Sequence, residues 1–265
     1  MKDSANNSAG LRGQVAGETE LCTVGQSGTG LTYRGYEITD LADNAEFEEV
    51  AFLLLKGHLP NKTELSNYKN KLKQLRKLPQ ELKNVLEEIP SNSHPMDVMR
   101  TGCSMLGCLE TEEKFEEEDD KIDRMLALFP SIITYWYKFS HESLRIDTVT
   151  DDDIIGSHFL NLLHEKKPSE LFSKVMNVSL ILYAEHEFNA STFAARVCAS
   201  TLSDIHSCIT AAIGTLRGPL HGGANEAAMD LIEKFKSPDE AENKLLDMLQ
   251  RKEKMNNLKS RVFLR

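Results

Sequence analysis

The sequence predicts a nearly all-α fold with one small β-hairpin near its N-terminus. Apolar side chains recur at helical spacing in one segment after another. Alternating short apolar runs on both sides of a glycine-rich turn occur only at residues 21–36. No strand–helix–strand alternation follows, which argues against a parallel α/β sheet.

The N-terminal part divides into a polar segment and a hairpin. Residues 1–17 are polar, and we expect them to form a loose N-terminus. Two short runs, 21–24 and 31–36, flank the glycine-rich turn. This arrangement is typical of a β-hairpin.

The helices of the first half carry local start and stop signals. Gly57 follows an apolar helical stripe and is a candidate C-terminal stop. Asn61 precedes Glu64 by three residues, which is the spacing of a capping box. Pro95 is expected at the first position of a helix, with His94 as its N-cap.

The second half gives three further expectations. The acidic segment 110–121 predicts a solvated loop. The segment 191–215 is nearly all small or apolar, and we expect it to be buried. Ser237, Pro238 and Glu240 match the N-cap, first and third positions of a helix start.

Composition excludes several classes of function. The 265-residue chain has a net charge of −10, which disfavours nucleic acid and anionic membranes as partners. No apolar run approaches the roughly 20 residues that span a bilayer, and the N-terminus lacks a secretory signal, so we expect a cytoplasmic protein. The five cysteines are scattered without a CxxC pair and predict neither a disulfide frame nor a metal site.

His221 is the first candidate for chemistry. It is surrounded by glycine and proline in RGPLHGGANEAAM, and glycine permits close backbone approach or a positive φ. Asn225 and Glu226 then open a helix, whose positive end disfavours an imidazolium. A neutral imidazole could donate a hydrogen bond to a developing oxyanion. The residues alone leave this open against a histidine that merely caps a loop.

His186 is the second candidate, in YAEHEFNAST where a long helix from residue 169 should end. The flanking carboxylates would steer its charge and tautomer. The alternative is a satisfied polar helix end. The pattern is HExxN and not HExxH, so a zinc-protease site is excluded.

At these residues the chain resembles the citrate synthase family. The segments LCTVGQSGTGLTYRGYEI, FEEVAFLLLKGHLP, HPMDVMRTG, AEHEFNAST and LRGPLHGGANEAAM look like family segments in the family's order, over residues 12–255. The segments HEFNAST and SHPMDVMR resemble the bacterial 2-methylcitrate synthase branch more than ordinary citrate synthases.

The resemblance implies an all-α acyltransferase that condenses propionyl-CoA or acetyl-CoA with oxaloacetate, in propionate metabolism or the tricarboxylic acid cycle. No metal or redox cofactor is implied, because the acyl-CoA is a substrate. His221 would be catalytic and hydrogen-bond the thioester oxygen, and His186 would help to hold oxaloacetate.

A homodimer is also implied, and a helix rich in methionine and glycine could form its contact. The alternative for that helix is ordinary core packing. The residues in question are Met96, Met99, Gly102, Met105 and Gly107.

The resemblance fails near the C-terminus. Alignment on Arg261 and Val262 puts Ser260 where the family's second catalytic histidine belongs. The catalytic aspartate and the carboxylate-binding arginines would lie further on. We therefore expect a large helical domain at 18–221, an incomplete small domain at 222–265, and a nearly inactive chain. The alternative function is a catalytically dead binding or scaffold subunit that pairs with a full-length relative.

Overall fold

The computed structural model describes residues 17–25, 30–111 and 118–251. Within these residues it contains three short strands and twelve helices. The strands are β1 (Cys22–Val24), β2 (Leu31–Tyr33) and β3 (Tyr36–Glu37). The first helices are α1 (Ile38–Asn44), α2 (Phe47–Lys56), α3 (Lys62–Gln74), α4 (Gln80–Glu87), α5 (Pro95–Leu109) and α6 (Glu118–Glu142). The others are α7 (Ile155–His164), α8 (Glu170–Tyr183), α9 (Ala190–Ala199), α10 (Ile205–Leu216), α11 (Gly223–Ile232) and α12 (Pro238–Gln250).

The predicted hairpin is confirmed and carries one extra strand. β1 and β2 pair antiparallel, with Cys22 opposite Tyr33. β3 then pairs with β2 across a two-residue turn at Arg34 and Gly35, whose φ angles are 46° and 87°. Positive φ at both turn residues matches the right-handed twist of the flanking strands.

The hairpin packs onto helices from distant parts of the chain. Its buried residues Cys22 and Tyr33 join α1, α2 and the end of α8 in one apolar cluster. This cluster brings Ile181, at the C-terminal end of α8, against the inner face of the hairpin. The largest core cluster lies elsewhere, between α4, α5 and α6.

Three local start or stop signals are confirmed. Gly57 ends α2 with a φ of 90°. Asn61 accepts backbone N–H groups at the start of α3, and Glu64 completes the capping box. His94 is the N-cap of α5, with Pro95 at the first helical position.

Two expectations about the second half were wrong or incomplete. α9 has no buried residue, although its composition predicted burial. α6 begins at Glu118, so the acidic segment is helical in its last part; residues 112–117 lie outside the described residues. Lys71 of α3 forms ion pairs with Asp120 and Asp123 of this helical part, both at 2.6 Å.

The glycines of α5 are used for packing within the chain. A Cβ atom on Gly102 would lie 2.7 Å from Cγ2 of Ile132 in α6. One on Gly107 would lie 2.8 Å from Cβ of His206 in α10. Both distances are shorter than atoms can approach, so these glycines let α5 contact its neighbours. This favours the core-packing interpretation of the small residues in this helix.

Candidate active site

The backbone folds tightly around His221, between α10 and α11. Gly222 N–H donates to Leu216 O at 2.9 Å, and His221 N–H donates to Gly218 O at 2.9 Å. A Cβ on Gly222 would lie 2.5 Å from Leu216 O. Gly222 has a φ of −61°, so close approach and not a positive φ explains the glycine. His221 therefore occupies a fixed loop directly before α11.

The imidazole of His221 is held by the N-terminus of α9. Its Nε2 lies 2.9 Å from Oγ of Ser191 and 3.3 Å from the backbone N of Ser191. Asn189 is the N-cap of α9, and its Oδ1 accepts both the Ser191 hydroxyl, at 2.6 Å, and the N–H of Thr192. The HEFNAST and GPLHGG segments therefore meet in space. The contact of Ser191 with His221 was not predicted, although the Asn-x-Ser-Thr pattern of a helix start was the available signal.

The backbone contact with Ser191 favours one tautomer of the neutral His221 ring. The single hydroxyl proton of Ser191 can point either at Oδ1 of Asn189 or at Nε2 of His221, whereas the backbone N–H of Ser191 can only donate. Because that N–H points at Nε2, the nitrogen that fits is an unprotonated acceptor. The neutral ring then carries its proton on Nδ1. His221 is thus arranged as a neutral hydrogen-bond donor beside the N-terminal ends of two helices, where a positive charge is disfavoured.

His186 lies in the turn at residues 184–189, between α8 and α9, and its side chain is exposed. The described residues show no hydrogen bond between its ring and that of His221. The two histidines are nevertheless linked, because the chain runs from His186 through Asn189 to Ser191, which contacts His221. Ser260, the position of the expected second histidine, lies outside the described residues.

The N-terminal end of α5 braces the His221 loop at two points. Asp97 pairs with Arg217 at 3.3 Å, directly before the loop, and with Arg100 at 3.1 Å. His94 accepts the Met96 N–H at Nδ1, so its Nε2–H donates to Glu226 of α11 at 3.2 Å. The helix cap was predictable from sequence, but its link to a residue 132 positions away was not.

Other site types find little support in the described part of the chain. No cluster of three or more potential metal ligands occurs there. No described helix is both long and apolar enough to cross a membrane. A cavity of about 360 Å³ lies between residues 144–150 and α7, and neither candidate histidine lines it.

Comparisons with known proteins identify the family. The family model "Citrate synthase, C-terminal domain" matches residues 10–258. The chain belongs to the citrate synthase family. It is 68% identical to a 2-methylcitrate synthase of Shewanella oneidensis over 247 residues, which cover 93% of this chain and 66% of that protein. It is 40% identical to a 2-methylcitrate synthase of Mycobacterium tuberculosis over 258 residues, covering 96% of this chain and 65% of the relative.

Solved citrate synthases share the fold. The structure of citrate synthase from Thermotoga maritima superposes with a TM-score of 0.79 at 33% identity, covering 94% of this chain and 66% of that one. A ternary complex of the Thermoplasma acidophilum citrate synthase with carboxymethyl coenzyme A and oxaloacetate also gives 0.79, at 32% identity, covering 91% and 62%. This citrate synthase family chain thus spans less than two thirds of the length of these relatives.

Proposed function

We propose that this chain contributes to an acyltransferase that condenses propionyl-CoA, or acetyl-CoA, with oxaloacetate in the cytoplasm. The product would be 2-methylcitrate, or citrate. The observation that carries the proposal is the fixed donor geometry of His221, whose Nε2 is occupied by Ser191. Support also comes from the name of the Shewanella relative and from the ligands in the Thermoplasma complex.

In the proposed reaction, His221 stabilises the enol of the acyl-CoA. A carboxylate base takes a proton from the carbon beside the thioester, which moves negative charge onto the thioester oxygen. The family resemblance implies an aspartate for this base, to which no described residue is assigned. A preorganised neutral donor at that oxygen lowers the energy of the charge without delivering a full proton. Nδ1 of His221 has no hydrogen-bond partner among the described residues and faces away from the Ser191 contacts at Nε2, so the Nδ1–H can take this role.

His186 has the complementary role of holding oxaloacetate. The enol carbon attacks the ketone carbon of oxaloacetate, a carbon–carbon bond forms, and the ketone oxygen takes a proton. Water then cleaves the thioester and releases coenzyme A as a free thiol. These steps balance without an electron acceptor, so the proposal includes no redox cofactor, and the family resemblance implies no metal.

Release of the coenzyme A thiol tests the proposal. The purified chain is mixed with propionyl-CoA or acetyl-CoA, and thiol formation is followed with and without oxaloacetate. We expect slow release that depends on oxaloacetate, because Ser260 stands at the position of the second histidine and no residue is assigned as the catalytic aspartate. His221→Gln should lower this residual rate towards the rate without protein. His164→Gln is the matched control, since His164 is an exposed residue at the end of α7. Unchanged turnover in His221→Gln would refute the assigned role.

The alternative of a binding subunit rests on Ser260, which occupies the position of a histidine in the family pattern. It predicts a chain that binds oxaloacetate but releases no thiol. Restoration of thiol release on mixing with a full-length relative would then favour the pairing role over the catalytic one.

We include a homodimer in the proposal. Several large apolar side chains on α8 and α9 are exposed, among them Leu171, Phe172 and Val197. Such surface is costly in an isolated monomer and marks interaction sites. Sedimentation at micromolar concentration should give twice the mass of one chain, and a well-folded monomer would argue against the dimer.

A further inference from the structure

The turn that carries His186 is held by the inner face of the hairpin. Tyr33 is fully buried, and its hydroxyl lies 2.9 Å from Ile181 O and 3.2 Å from Glu185 O. The same hydroxyl accepts the N–H of Glu185 at 3.2 Å. The last carbonyls of a helix have no partner inside the helix. Tyr33 therefore caps the end of α8 and fixes the residue directly before His186.

Cys22 holds the residue directly after His186. Its Sγ accepts the Glu187 N–H at 2.9 Å and lies 3.5 Å from Oε1 of Glu185. Burial raises the pKa of the Cys22 thiol to about 11. The group is therefore a neutral thiol near pH 7, able to donate to the Glu185 carboxylate while it accepts from Glu187.

The backbone at Glu187 needs such support. Its φ is 56°, in the left-handed region that non-glycine residues seldom adopt. A backbone in a sparsely populated conformation persists when its surroundings over-determine it. The hydrogen bond from Glu187 to Cys22 supplies one of those constraints.

The two holding residues form a single unit. Cys22 and Tyr33 face each other as a cross-strand pair of β1 and β2. Their side chains point to the buried face of the hairpin, while the next pair, Thr23 and Thr32, has its hydroxyls 2.6 Å apart. Because side chains alternate along a strand, this threonine pair lies on the opposite face.

We propose that Cys22 and Tyr33 are positioning residues that set the orientation of His186 for oxaloacetate. This inference rests on the proposed substrate-binding role of His186. Both sequence neighbours of His186 are held by the hairpin, while its own ring projects from the turn. The hairpin thereby supports the proposed substrate site from behind the turn.

The test follows the imidazole signal of His186 by NMR in the full chain labelled at histidine carbons. The signal is assigned with His186→Asn. Without ligand, Tyr33→Phe and Cys22→Ala should shift or broaden it. Thr23→Val is the matched control, because it removes a hairpin hydroxyl on the other face, and it should leave the signal unchanged. Cys22→Ser keeps an acceptor for Glu187 and should restore most of the wild-type signal, which a purely structural effect of volume would not do.

The second measurement is the affinity for oxaloacetate, obtained by titration. Tyr33→Phe should weaken binding about tenfold, whereas Thr23→Val should stay within about twofold of wild type. If oxaloacetate leaves the wild-type His186 signal unmoved, the proposed substrate role fails, and the ligand-free comparison still decides the positioning role. The positioning role is refuted if Tyr33→Phe and Cys22→Ala match the control without ligand. If Tyr33→Phe does not fold, the comparison of Cys22→Ala with Cys22→Ser tests the positioning role by itself.

Discussion

Two charged side chains, Glu48 and Arg76, lie inside the core with only 1% of their surface exposed. Oε1 of Glu48 accepts the Ile155 N–H at 2.6 Å, and Arg76 donates to carbonyls of residues 150 and 152. Among the described residues, Oε2 of Glu48 and both Nε and Nη2 of Arg76 have no hydrogen-bond partner. Burial is the main reason that the pKa of Glu48 is raised to about 7.

The raised pKa of Glu48 predicts a loss of stability as pH increases. Its ordinary pKa is near 4.5, so between pH 4.5 and 7 the folded chain keeps a proton that the unfolded chain releases. The free energy of unfolding should therefore fall through this window, by at most about 3 kcal/mol. Glu48→Gln stays neutral and keeps the acceptor for Ile155, so it should lose less stability than wild type.

Urea denaturation at pH 5 and pH 7.5 measures the effect in both proteins. Glu88→Gln serves as the control, since Glu88 is exposed. Equal pH dependence in wild type and Glu48→Gln would contradict a raised pKa. The sequence could not distinguish Glu48 from its neighbour Glu49, which caps α2. Ile155, whose N–H donates to Glu48, is 107 positions away along the chain.

Helix boundaries were predictable where their cause is local. Asn61 and Glu64 satisfy each other's backbone N–H groups within three residues, and the His94 side chain accepts the N–H of Met96 two residues further on. The burial of α9 was not predictable from composition, because an apolar helix is buried only when another element covers it. Val197 is 52% exposed in α9 although its neighbours along the chain are mostly small or apolar. The candidate histidines were recognised from their motifs, while the Ser191 contact required the fold.

Packing between helices makes two helical glycines respond oppositely to the same change. In Gly102→Ala the new methyl would lie 2.7 Å from Cγ2 of Ile132, a fully buried branched side chain with little room to move. We expect destabilisation of about 1–3 kcal/mol from overpacking. In Gly214→Ala the nearest atom is Cδ of Arg100 at 3.6 Å, an ordinary contact. That variant should gain up to about 1 kcal/mol from reduced backbone entropy in the unfolded chain.

Thermal and urea unfolding of the two variants provide the comparison, each one serving as the control for the other. A stability increase in both would mean that α5 and α6 separate at no cost. Such a result would remove the argument that Gly102 permits their close contact.

At the scale of the molecule, order should decline towards the C-terminal helices. The described side chains of α12 include none that is buried, and Ile232 in α11 is 62% exposed. In contrast, Val98, Cys103 and Leu106 of α5 are fully buried. Local opening is easiest where few apolar contacts must be broken.

Amide hydrogen exchange should therefore distinguish α12 from α5, which has a similar length. We expect protection in α12 to be at least about a hundredfold lower than in α5. The sample must be dilute and free of aggregates, because association would cover the exposed apolar side chains. Equal protection in such a sample would show that α12 packs on a surface that its exposure does not indicate.

The pairing of Tyr33 with Ile181 also bears on how the chain is made. The two residues are 148 positions apart, and Cys22 is 165 positions from Glu187. During synthesis at about 5–20 residues per second, the finished hairpin waits roughly 7–30 s before α8 leaves the ribosome. Throughout that interval its apolar face has no final partner, and closing so long a loop is slow. The His186 turn should thus be among the last parts to reach its native shape, and a chaperone that shields residues 21–37 during translation would raise the yield of correctly folded protein.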